Sequence, residues 1–331
     1  MRNQMRTMSL LLSVALVSVV GCDDEPVENT PDANMSQDAA GGSDARGGSQ
    51  GGSDASMTAD GSAPDGGVMP SDGGGGADGG GADAATVPTV LALSGTATTS
   101  VLTTFAANAP QTVSAPVAIT GLEATEVILN ITVRPANGKI YGLGSTSRLY
   151  EINRTTGAAT AIGTAAFTPA LMGTYYGFDF NPTVDRIRLI SDAEQNLRLH
   201  PDTGVVAGTD TALAPAGSVG AVAYTNSFAG ATMTTVFGLD YASNNLVRMG
   251  GPDSMPSPNL GAITVIGPVG SDIGEPASLD IAPNNVAYGA WQSAGATKFY
   301  TLNLTTGAAS EVGTIGGTTA ATMVRSIAVL Q

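Results

Sequence analysis

The feature that most constrains this chain is a repeated turn. Asn153-Arg154-Thr155-Thr156-Gly157 recurs as Asn303-Leu304-Thr305-Thr306-Gly307, and His200-Pro201-Asp202-Thr203-Gly204 is a looser copy. Gly157 and Gly204 lie 47 residues apart, and Gly204 and Gly307 lie 103 apart, two periods plus a small insertion. Asn259-Leu260-Gly261 supplies the copy between them, and Asn108-Ala109-Pro110-Gln111-Thr112 an earlier, weaker one. Self-similarity at a period of about 20–50 residues marks a stacked or circular array of one supersecondary unit.

The surroundings of the turn identify the unit. An alternating run precedes each turn, as in Lys139-Ile140-Tyr141-Gly142-Leu143 and Arg186-Ile187-Arg188-Leu189-Ile190. A second run leads into it, as in Arg148-Leu149-Tyr150-Glu151-Ile152 and Lys298-Phe299-Tyr300-Thr301-Leu302. A short strand follows, and a first strand opens the unit, as in Phe178-Asp179-Phe180-Asn181-Pro182 and Leu279-Asp280-Ile281-Ala282-Pro283. Period-2 alternation between Gly, Asn and Pro turns predicts four antiparallel strands per unit, with no sustained helical periodicity. Such units predict an all-β fold, a β-propeller. The count gives four whole units and one broken unit, with three strands at about 89–118 and a last one at Met323–Val329. Joining them in one blade predicts five blades and a ring closed with no open edge between the first and last blades.

The run Gly177-Phe178-Asp179-Phe180-Asn181-Pro182-Thr183-Val184-Asp185-Arg186-Ile187-Arg188, followed by Ser191-Asp192 and Asn196-Leu197-Arg198, resembles a family of secreted bacterial proteins known as a domain of unknown function. The resemblance spans nearly all of residues 87–331. It implies a propeller-like secreted domain and carries over no activity and no functional residues.

Two segments precede the repeats. Arg2 and Arg6 followed by the apolar run Ser9–Val20 read as a signal peptide, too short to span a bilayer. It ends in Val19-Val20-Gly21-Cys22, small residues before the single cysteine, which is the pattern of a bacterial lipobox. Residues 1–22 are therefore expected to be a lipoprotein signal, with Cys22 as the lipidation site that anchors the mature chain to a membrane. Residues 23–86 hold 16 Gly, 13 acids and one base, and lack Phe, Tyr, Trp, Leu and Ile. Such a stretch buries too little to offset chain entropy and is expected to be a disordered acidic tether. Its charge is −12 out of a total of −15, so the acidity belongs mainly to the tether. The matches to G-x-S-x-G at Gly47–Gly51 and to G-x-G-x-x-G at Gly74–Gly79 lie in this tether, without the strand and helix their chemistry needs. Residues 87–331 hold all 16 aromatics and form the propeller domain.

One Cys and one His exclude a disulfide scaffold and a Cys/His zinc cluster. The acidic balance argues against nucleic acid as a partner. Aligning the first strands on their prolines makes Thr132, Asp179 and Asp280 equivalent, with Ala223 and Ala328 in the other two blades, facing the central channel. Two channel carboxylates can act as acid and base on a glycosidic bond, hold a calcium ion, or bond main-chain N–H groups of the following turn. Asp185, Arg186 and Arg188, near Asp192 and Arg198, form the densest charge cluster, either a paired network or an Arg site for an anion. His200 sits where Asn153 and Asn303 cap their turns. Trp291 and Tyr288 read as blade core or as a stacking platform for a sugar.

These observations lead to a lipid-anchored, extracytoplasmic propeller of the bacterial cell envelope, expected to be monomeric. It is expected to bind a glycan or a protein, with no cofactor beyond a possible calcium ion. A sugar-active hydrolase or lyase using Asp179 and Asp280 is the second reading, and a purely structural envelope protein the third.

Overall fold

A computed structural model of the chain describes residues 86–317 and 323–331. The signal, Cys22 and all but the last residue of the acidic segment lie outside the described residues. The fold is a five-bladed β-propeller, each blade a four-stranded antiparallel sheet. Blade I holds β1 (Thr89–Ser94), β2 (Val101–Ala106), β3 (Val117–Ala118) and the C-terminal β20 (Val324–Val329). Blade II holds β4 (Ile128–Val133), β5 (Ile140–Gly144), β6 (Arg148–Ile152) and β7 (Ala159–Ile162). Blade III holds β8 (Tyr176–Asn181), β9 (Arg186–Ser191), β10 (Asn196–Leu199) and β11 (Val206–Thr209). Blade IV holds β12 (Val219–Tyr224), β13 (Val236–Asp240), β14 (Asn245–Met249) and β15 (Ile263–Pro268). Blade V holds β16 (Gly274–Ile281), β17 (Ala287–Ser293), β18 (Ala296–Leu302) and β19 (Ala309–Thr314).

The ring closes as its broken repeat predicts. β20 pairs with β1, placing Val90 opposite Val329 and Leu91 opposite Ala328. The strands β20, β4, β8, β12 and β16 neighbour one another around the axis and form the inner wall. Each blade is sandwiched between two others, so both faces of its strands are apolar. Five buried clusters result, one per seam. At the seam of blades II and III, Tyr141 meets Phe180 edge-on with ring centroids 5.1 Å apart. At the seam of blades I and V, Phe105 meets Phe299 in the same way at 5.0 Å.

The repeated turn has a physical reason. Asn153 Oδ1 accepts the N–H groups of Thr155 and Thr156, both at 3.0 Å, and Asn303 does the same for Thr305 and Thr306. In the looser copy His200 takes this place, with Nδ1 accepting the Asp202 N–H at 3.2 Å. The glycine that follows has φ of 72° at Gly157, 71° at Gly204, 70° at Gly261 and 84° at Gly307. A Cβ there would lie 2.0 to 2.4 Å from a main-chain oxygen of the preceding blade: Ala118, Ile162, Ala212 and Gly267 respectively. The turn therefore seats blades II, III and V on the outer strand of the preceding blade and blade IV on the segment just after β11, which a side chain would prevent. The insertion falls between Gly250 and Gly261, where short 3₁₀ turns at Pro252–Ser254 and Pro258–Leu260 lengthen blade IV.

Candidate functional site

Each inner strand leaves one edge without a ladder partner, and its N–H groups need acceptors. Side chains of neighbouring blades supply them. Ser326 Oγ accepts the Ile131 N–H at 3.2 Å and Ser278 Oγ the Ile327 N–H at 3.0 Å. Asp179 Oδ2 accepts the Tyr224 N–H at 2.8 Å, and Asp280 Oδ2 the Val329 N–H at 2.5 Å. Thr132 Oγ1 donates to Asp179 Oδ1 at 2.6 Å, and Asp280 Oδ1 accepts the Ile281 N–H at 2.8 Å. Thr132, Asp179 and Asp280 are thus brought into one ring, but as stitches between blades. The following turn is not the main partner of either Asp, because the unpaired edge of the next blade lies within reach.

The two carboxylates occupy blades III and V on either side of Ala223. Burial is the main cause that raises the Asp179 carboxyl well above its usual range. The charge of Asp280 adds to this, against bonds from Thr132, Tyr224 and Phe180. Asp280, partly exposed, is also raised by burial, against its bonds from Val329 and Ile281. Asp179 is only 4% exposed, and both its oxygens already accept hydrogen bonds from the protein. A calcium ion takes about six to eight oxygens. The equivalent positions Ala223 and Ala328 bring none, and among the described residues no three His, Cys, Asp or Glu side chains gather as metal ligands.

The charge cluster divides into two. Asp185 leaves it for Arg134 of blade II, which sequence reasoning had not singled out. Arg134 Nε donates to Asp185 Oδ1 at 2.9 Å and Nη2 to Oδ2, while Nη1 donates to Tyr141 at 2.9 Å and to Asp202 at 2.6 Å. Its guanidinium also lies over the Tyr141 and Phe180 rings. Asp192, in the β9–β10 turn, accepts the Thr174 and Tyr175 N–H groups of the segment leading into β8.

The arginines remain together. A cavity of about 350 Å³ lies where blades III and IV meet, lined by Arg186, Arg188, Arg198 and Tyr224 together with Ser254, Ser257 and Asn259 of the blade IV insertion. Arg188, 2% exposed, is fixed by Tyr224, Asn196, Asp210 and Asn259. Arg198 grips Asp210 through Nε and Nη2. Arg186 makes one hydrogen bond, to the main-chain oxygen of Asp185 at 2.9 Å.

The sequence profile of a family described as a domain of unknown function (DUF4394) matches residues 101–328. The chain belongs to this family. No curated protein matches it in sequence. Solved structures with a similar fold include a protein of unknown function from Bacteroides caccae, 11% identical over 74% of this chain and all of that one, with a TM-score of 0.39. The Dos1 propeller is 10% identical over 63% of this chain and 53% of its own, TM-score 0.36. A GH43 glycoside hydrolase engineered for endo-xylanase and exo-arabinofuranosidase activity is 11% identical over 68% of this chain and half of its own, TM-score 0.42.

Within this DUF4394 chain, Trp291 is no platform for a sugar. It is fully buried, stacked on Tyr300 at 3.7 Å between ring centroids, in the cluster between blades IV and V. Tyr288 is buried too, stacked on Phe299 at 5.4 Å. The residues that sequence reasoning missed are Arg134, Asp210, Tyr224 and the insertion's Ser254, Ser257 and Asn259. The one available signal was the excess length between Gly204 and Gly261.

Proposed function

We propose that the chain is a non-catalytic binding module, a propeller held outside the cytoplasm by a lipid on Cys22 and set clear of the membrane by its acidic tether. The observation that carries the non-catalytic part is the use of Asp179 and Asp280. Asp179 spends its oxygens on the Thr132 hydroxyl and the Tyr224 N–H of neighbouring blades, and Asp280 spends its own on the Val329 N–H of the next blade and the Ile281 N–H of its own strand. The anchor and the tether rest on Arg2, Arg6, the run Ser9–Val20, Cys22 and the composition of residues 23–86. The five-bladed ring gives such a module a rigid frame, and the cavity at the seam of blades III and IV gives it a place for a ligand.

The test is to incubate the full chain with a panel of bacterial and plant polysaccharides and to follow retention and the release of reducing ends together. Retention without release is the expected result. Release that disappears in Asp179→Asn overturns the reading in favour of the sugar-active enzyme. For the anchor, wild-type chain should sediment with membranes and take up labelled fatty acid, and Cys22→Ala should do neither.

A further inference from the structure

We infer that the cavity between blades III and IV is a binding site for an acidic sugar, with Arg186 as the residue that meets its carboxylate. The inference rests on the binding-module reading and names its ligand class. Three arginines line one cavity, and the carboxylate that touches them, Asp210, is shared by Arg188 and Arg198. The cluster therefore keeps an excess of positive charge. Arg188 is locked: its Nε, Nη1 and Nη2 all donate to side chains of the protein. It forms the charged floor and leaves little for a ligand. Arg198 commits Nε and Nη2 to Asp210, leaving Nη1 for a further acceptor. Arg186 commits only Nη1, to a main-chain oxygen, and its Nε and Nη2 remain as a fork. Such a planar fork matches a carboxylate with two parallel bonds.

The rest of the lining suits a hydroxyl-rich body. Ser257 Oγ accepts the Asn259 N–H at 3.2 Å and keeps its own proton to donate, and Asn181 and Thr183 of blade III, bonded to each other, also line the cavity. The Tyr224 hydroxyl, which accepts from Arg188 at 2.7 Å, lies in the same lining beside Asn181. A volume of about 350 Å³ lies within the range of small-molecule sites, roughly 300–1,000 Å³. The insertion gives an independent reason. It lengthens the repeat in blade IV alone among the spacings from Gly157 to Gly307, and its Ser254, Ser257, Pro258 and Asn259 are the residues that wall this cavity.

The experiment is calorimetric titration of the full chain with D-galacturonate, D-galactose and inorganic phosphate, repeated with Arg186→Ala and Arg186→Lys. Arg186 makes no side-chain bond to the core, so both variants should keep the wild-type melting temperature. We expect saturable binding of galacturonate and at least tenfold weaker binding of galactose. We expect a loss of at least tenfold in Arg186→Ala that Lys restores only in part. No heat with galacturonate, or equal affinity in Arg186→Ala, overturns the inference. Equal binding of galactose overturns the anion requirement but leaves the binding-module reading standing. Phosphate binding as tight as galacturonate overturns the sugar and leaves an oxyanion site. Turnover of an oligogalacturonide would overturn the module reading itself.

Discussion

Asp179 and Arg188 stand directly opposite each other in the β8–β9 register, and each reaches into the next blade to hold one end of Tyr224. The carboxylate accepts the tyrosine's N–H at 2.8 Å, and the guanidinium donates to its hydroxyl at 2.7 Å. Blade IV is thus pinned to blade III through one residue. Asp179→Ala leaves the Tyr224 N–H buried without its acceptor. A buried group left unsatisfied costs about 1–3 kcal/mol. For a domain of this size each kcal/mol moves the midpoint by about 2–4 °C. Asp179→Ala should therefore melt roughly 2–12 °C lower, and an unchanged midpoint would refute the stitching role.

The same carboxylates set a pH dependence. Burial pushes Asp280 up to about 6 and Asp179 up to about 8, the latter helped by the charge of Asp280. A carboxyl whose pKa is raised on folding holds its proton more tightly in the native state, so stability falls as pH rises from the ordinary carboxylate range through the raised values. The Arg134 bond lowers Asp202 instead, which acts below that range and leaves the interval from pH 5 to pH 8 untouched. Thermal midpoints should therefore be higher at pH 5 than at pH 8, with a smaller difference in Asp179→Asn. Parallel slopes for the two proteins would show that Asp179 does not titrate in this interval.

The turn glycines make a third prediction. Gly204 has φ 71°, and a Cβ would stand 2.4 Å from the Ile162 carbonyl oxygen of blade II. The left-handed conformation costs a non-glycine residue roughly 1–2 kcal/mol, and overpacking adds about 1–3 kcal/mol. Gly204→Ala should lower stability by at least about 2 kcal/mol in denaturant titration. Gly138 has φ 70° but nothing within 4 Å of a Cβ, so Gly138→Ala should lose only the conformational part. Equal losses in the two variants would remove the blade-seating contact from the explanation.

What the sequence makes legible follows from where each partner lies. The repeated turn is readable because its Asn, Thr and Gly act within five residues, and the broken repeat reveals how β20 closes the ring. Thr132, Asp179 and Asp280 are readable as equivalents, because a proline three residues on sets the frame. Their partners are not readable. Tyr224 lies 45 residues beyond Asp179 and Val329 lies 49 beyond Asp280, and no local spacing encodes a neighbouring blade. Trp291 resists reading for a related reason: both faces of every blade are covered, so alternation cannot separate a buried ring from a displayed one. Arg134 has its acidic partners 51 and 68 residues away and so carries no local signature at all.

Arg134 also carries the last prediction. It joins Asp185 by two parallel bonds, Asp202 by two more and the Tyr141 hydroxyl by a fifth. Lysine keeps the charge but loses the planar fork, so it can replace at most part of this set. Asp185 and Asp202 retain 37% and 58% of their side-chain exposure, and solvent takes up much of what they lose. The cost of Arg134→Lys is therefore expected at about 1–2 kcal/mol, the low end for charge-assisted bonds discounted for screening. The sharper readout is Asp202, whose carboxyl the Arg134 bond holds below its usual range. Carbon-detected NMR titration of the Asp202 carboxyl should show its pKa rising toward the ordinary value in Arg134→Met and only part of the way in Arg134→Lys. A titration curve identical to wild type in Arg134→Met would mean that Asp202 does not engage Arg134 in solution and that Arg134 serves the seam between blades II and III through Asp185 and Tyr141 without it.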